Sequence, residues 1–248
     1  MSASIDILDP AAPKRVLMLL SNPATSTQTG WPIGFWWSEL THPYWEFVEH
    51  GYRVEIASPD GGAVTADGFS DPEDPSGYSA DDLLSLGFAR SPAHAALLAA
   101  TTPLADVSVD DHDAVFLVGG QGPMYTFVDD PRVHRLIASF HEAGKPTAVV
   151  CHATCALLSA ITSTGALVVD DKTWTGFANS EEQFADDLVG KPIQPFRIED
   201  RARALPNTNF VVHRAFAPHA IRDGHLITGQ QQYSGAAAAR LVIEALGV

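Results

Sequence analysis

Basic side chains are scarce in this chain: 15 lysines and arginines stand against 30 aspartates and glutamates, a formal net charge of −15 over 248 residues. A surface this acidic repels phosphate backbones and anionic lipid, which argues against nucleic acid and membrane surfaces as partners. Long apolar runs are missing too. None approaches the roughly 20 residues that a membrane-spanning helix needs. Met1–Pro13 lacks the basic start and apolar stretch of a secretory signal, and reads as a frayed lead-in to the first strand. Cysteine is nearly absent. Cys151 and Cys155 are too few for a disulfide framework, and a reducing cytoplasm is the expected location. Apolar material is plentiful at 46% of residues, enough for one core and a single domain over residues 1–248.

The unbroken apolar run Val16–Leu20 predicts a strand buried on both faces, as in parallel sheets, Ala114–Val118 reads as a second buried strand, and Val54-Glu55-Ile56-Ala57 and Thr147–Val150 read as further strands. Pro43 suits the first turn of a helix that runs through Trp45, Phe47 and Val48 to a stop at Gly51. A second helix is expected from Pro131 to His141, and a closing one over Ala236–Leu246. Leu167–Val169 and Lys172–Thr175 read as a short hairpin, with late strands at Val211-Val212 and Leu226-Ile227-Thr228. Residues 60–110 hold the loop-like Asp71-Pro72-Glu73-Asp74-Pro75 and short helical patterns near Asp81–Phe88 and Ala93–Ala100. So much chain between two strands predicts a small cap insertion over one end of the sheet. Alternating strands and helices make the expected class α/β, doubly wound and mainly parallel.

Chemistry concentrates at Ala148-Val149-Val150-Cys151-His152-Ala153-Thr154-Cys155. A buried strand that turns abruptly into a helix at a cysteine presents sulfur at the carboxyl edge of the sheet. A helix N-terminus there would lower the thiol pKa, and the adjacent backbone N–H could stabilise an oxyanion. From spacing alone a buried packing cysteine is an equal alternative. Gly119-Gly120-Gln121-Gly122 can bring backbone N–H groups near a ligand, or is simply a tight turn; its spacing is not that of a dinucleotide loop. Glu39 sits among large apolar residues, where burial would keep it protonated and able to exchange protons with a thiolate. Glu181 and Glu182 follow Asn179-Ser180; either could orient His152, or both could serve a helix N-terminus. Cys155 is a packing residue or a resolving thiol. Trp31, Phe35, Trp36 and Trp37 suit core or interface packing, or a pocket mouth. His42, His50, His94, His112 and His134 show no compact metal-ligand spacing.

Together these segments resemble the ThiJ/PfpI superfamily, relatives of class I glutamine amidotransferase domains, and within it the heat-shock-chaperone-like branch that contains glutathione-independent glyoxalase III. The likeness is carried by Trp37-Ser38-Glu39, Ala57-Ser58-Pro59-Asp60-Gly61-Gly62, Asp113-Ala114-Val115-Phe116, Cys151-His152, Thr175-Gly176-Phe177-Ala178-Asn179-Ser180-Glu181-Glu182 and Leu226-Ile227-Thr228-Gly229-Gln230. It implies a flavodoxin-like sandwich with Cys151 as nucleophile and His152 as its partner. It also implies Glu39 against the thiolate, Glu182 orienting the histidine with Glu181 the near alternative, and Gly120 and His152 amides as the oxyanion site. The resemblance further implies a homodimer. Two positions depart from the branch: Gln121 stands where it has histidine, and Ala153-Thr154 where it has Gly-Pro. Both bear on the substrate rather than the nucleophile.

The expected activity is therefore cofactor-free and metal-free conversion of a small carbonyl compound such as methylglyoxal to a 2-hydroxy acid, with Gln121 and Glu181 beside the substrate. A cysteine hydrolase or hydratase acting on carbon–nitrogen bonds is the alternative enzyme. A chaperone or peroxide sensor with an oxidisable Cys151 is the non-catalytic alternative.

Overall fold

The computed structural model describes residues 13–247; most of the Met1–Pro13 lead-in lies outside them. In chain order the strands and helices begin with β1 Arg15–Leu19, β2 Ala24–Thr25, β3 Pro32–Ile33, α1 Trp37–Glu49, β4 Arg53–Ser58, α2 Leu83–Arg90, α3 Pro92–Ala99 and β5 Thr102–Pro103. They continue with β6 Ala114–Leu117, α4 Pro123–Thr126, α5 Pro131–Glu142, β7 Thr147–Val150, β8 Thr173–Trp174, α6 Asn179–Val189 and α7 Ile198–Ala204, and end with β9 Asn209–Phe210, β10 Ala220–Asp223, β11 Leu226–Gly229 and α8 Gly235–Leu246.

Seven strands form one sheet in the order β10-β11-β7-β6-β1-β4-β5. Every pair is parallel except β10 with β11. Val16 through Leu20 are fully buried, which is why β1 reads as an uninterrupted apolar run: a central parallel strand has helices on both faces. α1 and α8 pack on each other. α5 turns Val133, Ile137 and Phe140 inward, starts at Pro131, and is capped where Asp130 accepts from the Arg132 N–H. β1 pairs with β4 on one side and β6 on the other, so the strand order reverses there. The carboxyl ends of β6 and β7 open beside that switch point, the usual place for a ligand crevice.

Several local expectations need correction. α1 begins at Trp37, not at Pro43, so Pro43 lies inside the helix; it denies the Glu39 carbonyl an intrahelical donor. The earlier start places Glu39 in the first turn. The hairpin expected over Leu167–Thr175 does not form. Leu167 makes only an isolated bridge to Ile161, whereas β8 pairs parallel with β9, anchored by fully buried Trp174, whose indole N–H donates to Thr208 Oγ1 at 2.8 Å. The strand expected at Val211-Val212 is displaced to Asn209–Phe210. β10 went unforeseen because it is an edge strand with no fully buried residue; the turn into β11 uses Gly224 at φ +65°. Of the 60–110 segment, α2 packs on α1 and β5 extends the main sheet.

Gly34 ties these layers together. Its N–H donates to Asp67 Oδ1 at 2.9 Å, and its carbonyl accepts from Gly122 N–H at 2.8 Å. A Cβ there would overlap the Thr65 carbonyl oxygen, a backbone atom that cannot swing away. Gly34→Ala is expected to cost about 2 kcal/mol or more, typical of overpacking, seen as a lower urea midpoint without a change in m.

Candidate active site

Strand β7 runs into Cys151, which takes φ +54°. A left-handed conformation at a non-glycine residue costs energy and is kept where the surrounding fold imposes it, as at the strand-to-helix elbow of a nucleophile. The segment that follows, Cys151–Leu158, is a run of 3-10 turns rather than the expected α-helix. Thr154, at one of the two departures from the branch pattern, donates to the Cys151 carbonyl at 2.6 Å and so ties down the elbow.

The structure brings together Cys151, His152, Glu182 and Glu39. His152 Nδ1 lies 3.4 Å from Cys151 Sγ, and Nε2 lies 3.1 Å from Glu182 Oε2. Phe177 stacks on the imidazole with centroids 3.9 Å apart, fixing the ring plane. Burial opposes the imidazolium, but the charge of Glu182 and its hydrogen bond outweigh it, and the His152 pKa is raised. Glu39 is fully buried beside the sulfur, with Oε2 accepting from Gly119 N–H at 2.9 Å. Burial raises its pKa to about 7, against the lowering effects of Cys151 and His152.

The thiol itself corrects an expectation. Burial first, then the neighbouring Glu39 carboxyl, push Cys151 well above the ordinary thiol range. The N–H groups of His152 and Gly120 pull the other way without prevailing. Burial outweighs the backbone donors at this sulfur, the opposite of the lowering expected from a helix N-terminus. Those same two N–H groups lie beside the sulfur, the arrangement that an oxyanion site requires. Gly120 reaches this position at φ +107°, where a Cβ would stand 2.6 Å from the Gly34 carbonyl oxygen.

Glu181 does not meet His152, correcting the alternative that it orients the imidazole. It borders the pocket, but Oε2 accepts from Ala178 N–H, and Oε1 accepts from Phe216 N–H and the Gln230 side chain. Gln121 lines the pocket, with Oε1 buried and unpartnered. Asp67 escaped sequence reading. Its carboxylate accepts from Gly34 N–H and, at 2.6 Å, from Gln121 N–H, bracing the loop that carries Gly120. Burial raises its pKa to about 7. No pattern around Ala66-Asp67-Gly68 marks it.

The aromatic cluster divides: Phe35 and Trp37 are core, Trp31 and Trp36 line the pocket. Cys155 is fully buried and donates to the Pro123 carbonyl. Among the described residues, no three His, Cys, Asp or Glu side chains are placed to hold a metal ion, and no helix is long and apolar enough to cross a membrane.

If Glu182 stabilises the imidazolium, Glu182→Gln should slow both turnover and alkylation of Cys151 by iodoacetamide, each by about 10²-fold, the low end for a positioned acid–base group. Unchanged alkylation would assign Glu182 a merely structural part.

Comparison with known proteins places this geometry. The chain is 28% identical over 142 residues to a probable glutathione-independent glyoxalase of Schizosaccharomyces pombe, a match covering 57% of this chain and 64% of that relative's length. The fold is shared with the Rapid Encystment Protein of Francisella tularensis (TM-score 0.83, 24% identity, 95% of this chain and 100% of that one). It is shared also with glyoxalase III of Candida albicans (TM-score 0.78, 22% identity, 94% and 97%). The model of the DJ-1/PfpI family matches residues 34–245, a span that takes in Glu39, Cys151, Glu182 and every strand of the main sheet but β1; the chain belongs to the DJ-1/PfpI family.

Proposed function

We propose that this chain is a cofactor-independent, cysteine-dependent enzyme that converts a 2-oxoaldehyde and water to a 2-hydroxy acid. One observation carries the reading: Cys151 Sγ is within reach of two separate proton handlers, the His152–Glu182 pair and the buried Glu39. A simple thiol nucleophile needs one such group; moving a proton between adjacent carbons needs a second.

His152 takes the thiol proton as Sγ attacks the aldehyde carbon, and the Gly120 and His152 N–H groups receive the oxyanion, which is then protonated to a hemithioacetal. Glu39 removes the hydrogen on that carbon while the neighbouring carbonyl oxygen is protonated, giving an S-linked enediol. Return of the proton to the second carbon, with loss of the hydroxyl proton on the first to water, leaves a thioester. Water breaks the C–S bond, releasing the 2-hydroxy acid and restoring the thiol. The names of the Schizosaccharomyces and Candida relatives support the same chemistry.

The test is a glutathione-free assay with methylglyoxal, following substrate loss and lactate by chiral chromatography. Lactate formed without added glutathione is expected. A second reading, hydrolysis or hydration of a carbon–nitrogen bond, draws on Gln121, whose unpartnered Oε1 could accept an amide N–H. Ammonia or formamide release with no lactate would favour it.

A further inference from the structure

The pocket over Cys151 is divided by chemistry. Polar groups form its floor, and its walls are largely apolar. Trp31, Trp36 and Phe69 make one wall; Phe184 and Leu188 of α6, with Phe216, make the other. Among the described residues no lysine or arginine lines it, while Glu39, Glu181 and Glu182 do. In a chain of net charge −15, a carboxylate or phosphate on the substrate would find there only the His152 imidazole, which already pairs with Glu182.

Exposure points the same way. Phe184 packs edge-on against Phe216, with centroids 5.1 Å apart, yet it and Leu188 stay 50% and 62% exposed. Large apolar side chains grouped at a pocket mouth gain free energy when an apolar group covers them.

We infer that the preferred substrate is an uncharged carbonyl compound bearing an aryl or branched-alkyl group, with its aldehyde at Cys151 and that group packed between α6 and Trp31–Trp36. The aldehyde chemistry rests on the function proposed above; the apolar group rests on the walls. A methylene added in an apolar pocket changes kcat/KM by about tenfold or more. The gain from methyl to phenyl is thus expected to be at least about tenfold, even at a half-open site.

The experiment measures initial rates of the full chain on methylglyoxal, 4-methyl-2-oxopentanal and phenylglyoxal, and repeats them with Phe184→Ser. Because aldehydes differ in intrinsic reactivity, the ratio between substrates is compared across the two proteins. Expected are a phenyl-to-methyl ratio in kcat/KM of at least about ten, and its fall by about fivefold in Phe184→Ser. A ratio near one, or one that Phe184→Ser does not move, overturns the inference while leaving the cysteine chemistry standing. A second measurement needs no turnover: acetophenone, but not acetone, should protect Cys151 from iodoacetamide. Protection by acetophenone with no turnover of any dicarbonyl would overturn the proposed reaction while supporting the apolar ligand class. Equal protection by both ketones, or by neither, would sink the inference.

Discussion

Cys151→Ala should lower kcat/KM for 2-oxoaldehydes by about 10⁴-fold or more, to the background left by binding and the amide donors. No other thiol can take over: Cys155 is fully buried and its Sγ is spent on the Pro123 carbonyl. Cys151→Ser separates packing from nucleophilicity. The hydroxyl keeps a hydrogen-bonding atom beside His152 and Glu39 but is a far weaker nucleophile at neutral pH, so it should also be nearly inactive, losing about 10³-fold. Both variants keep a side chain that must accept the same φ of +54°, and their melting temperatures should stay near wild type. Rapid quenching of the wild type during turnover should trap an adduct on the peptide containing Cys151, read by mass spectrometry. Lactate production persisting in Cys151→Ala would end the covalent scheme.

Glu39→Gln should cost about 10²- to 10³-fold in kcat, because an amide fills the same space but moves no proton. Its pH behaviour is the more distinctive sign. Glu39 and Cys151 titrate as a pair, and the reactive form is the one from which the first proton has left. With Glu39 raised to about 7 and the thiol well above its ordinary range, wild-type kcat/KM should rise with pH through about 7. In Glu39→Gln that limb should vanish. Stability should move as well. A carboxyl whose pKa is higher folded than unfolded holds its proton more tightly in the native state, so it erodes stability as pH rises from 4.5 to about 7. The full penalty, of order 3 kcal/mol, is present above pH 7. Glutamine escapes it while still offering an oxygen to Gly119 N–H. The difference in melting temperature should therefore grow in favour of Glu39→Gln between pH 5 and pH 8. A constant difference would mean that Glu39 titrates as an ordinary surface carboxylate.

Much of this molecule is written locally. Val16–Leu20, Ala114–Val118 and Ala148–Val150 carry their own burial as continuous apolar stretches, and strand followed by cysteine marks the elbow. Pro131 and Asp130 start α5 where they stand. Signals of that kind act over a few residues, so spacing reveals them. Weak or edge elements are another matter. β10 has half-buried and exposed residues only, β8 forms because Trp174 finds a distant parallel partner, and Pro43 sits inside a helix held by α8.

The division is sharpest within the site. Sequence alone determined the α/β class, the position of the candidate nucleophile, the histidine beside it and a short list of carboxylates. Only the tertiary structure decided among those carboxylates. Glu181 and Glu182 are neighbours in the chain, but successive residues on a helix point in directions about 100° apart, so Glu182 meets His152 and Glu181 turns to Ala178, Phe216 and Gln230. The raised pKa values of Glu39, Asp67 and Cys151 likewise come from burial. Burial is set by segments far apart in the chain packing over one another, and a linear order of residues does not contain it.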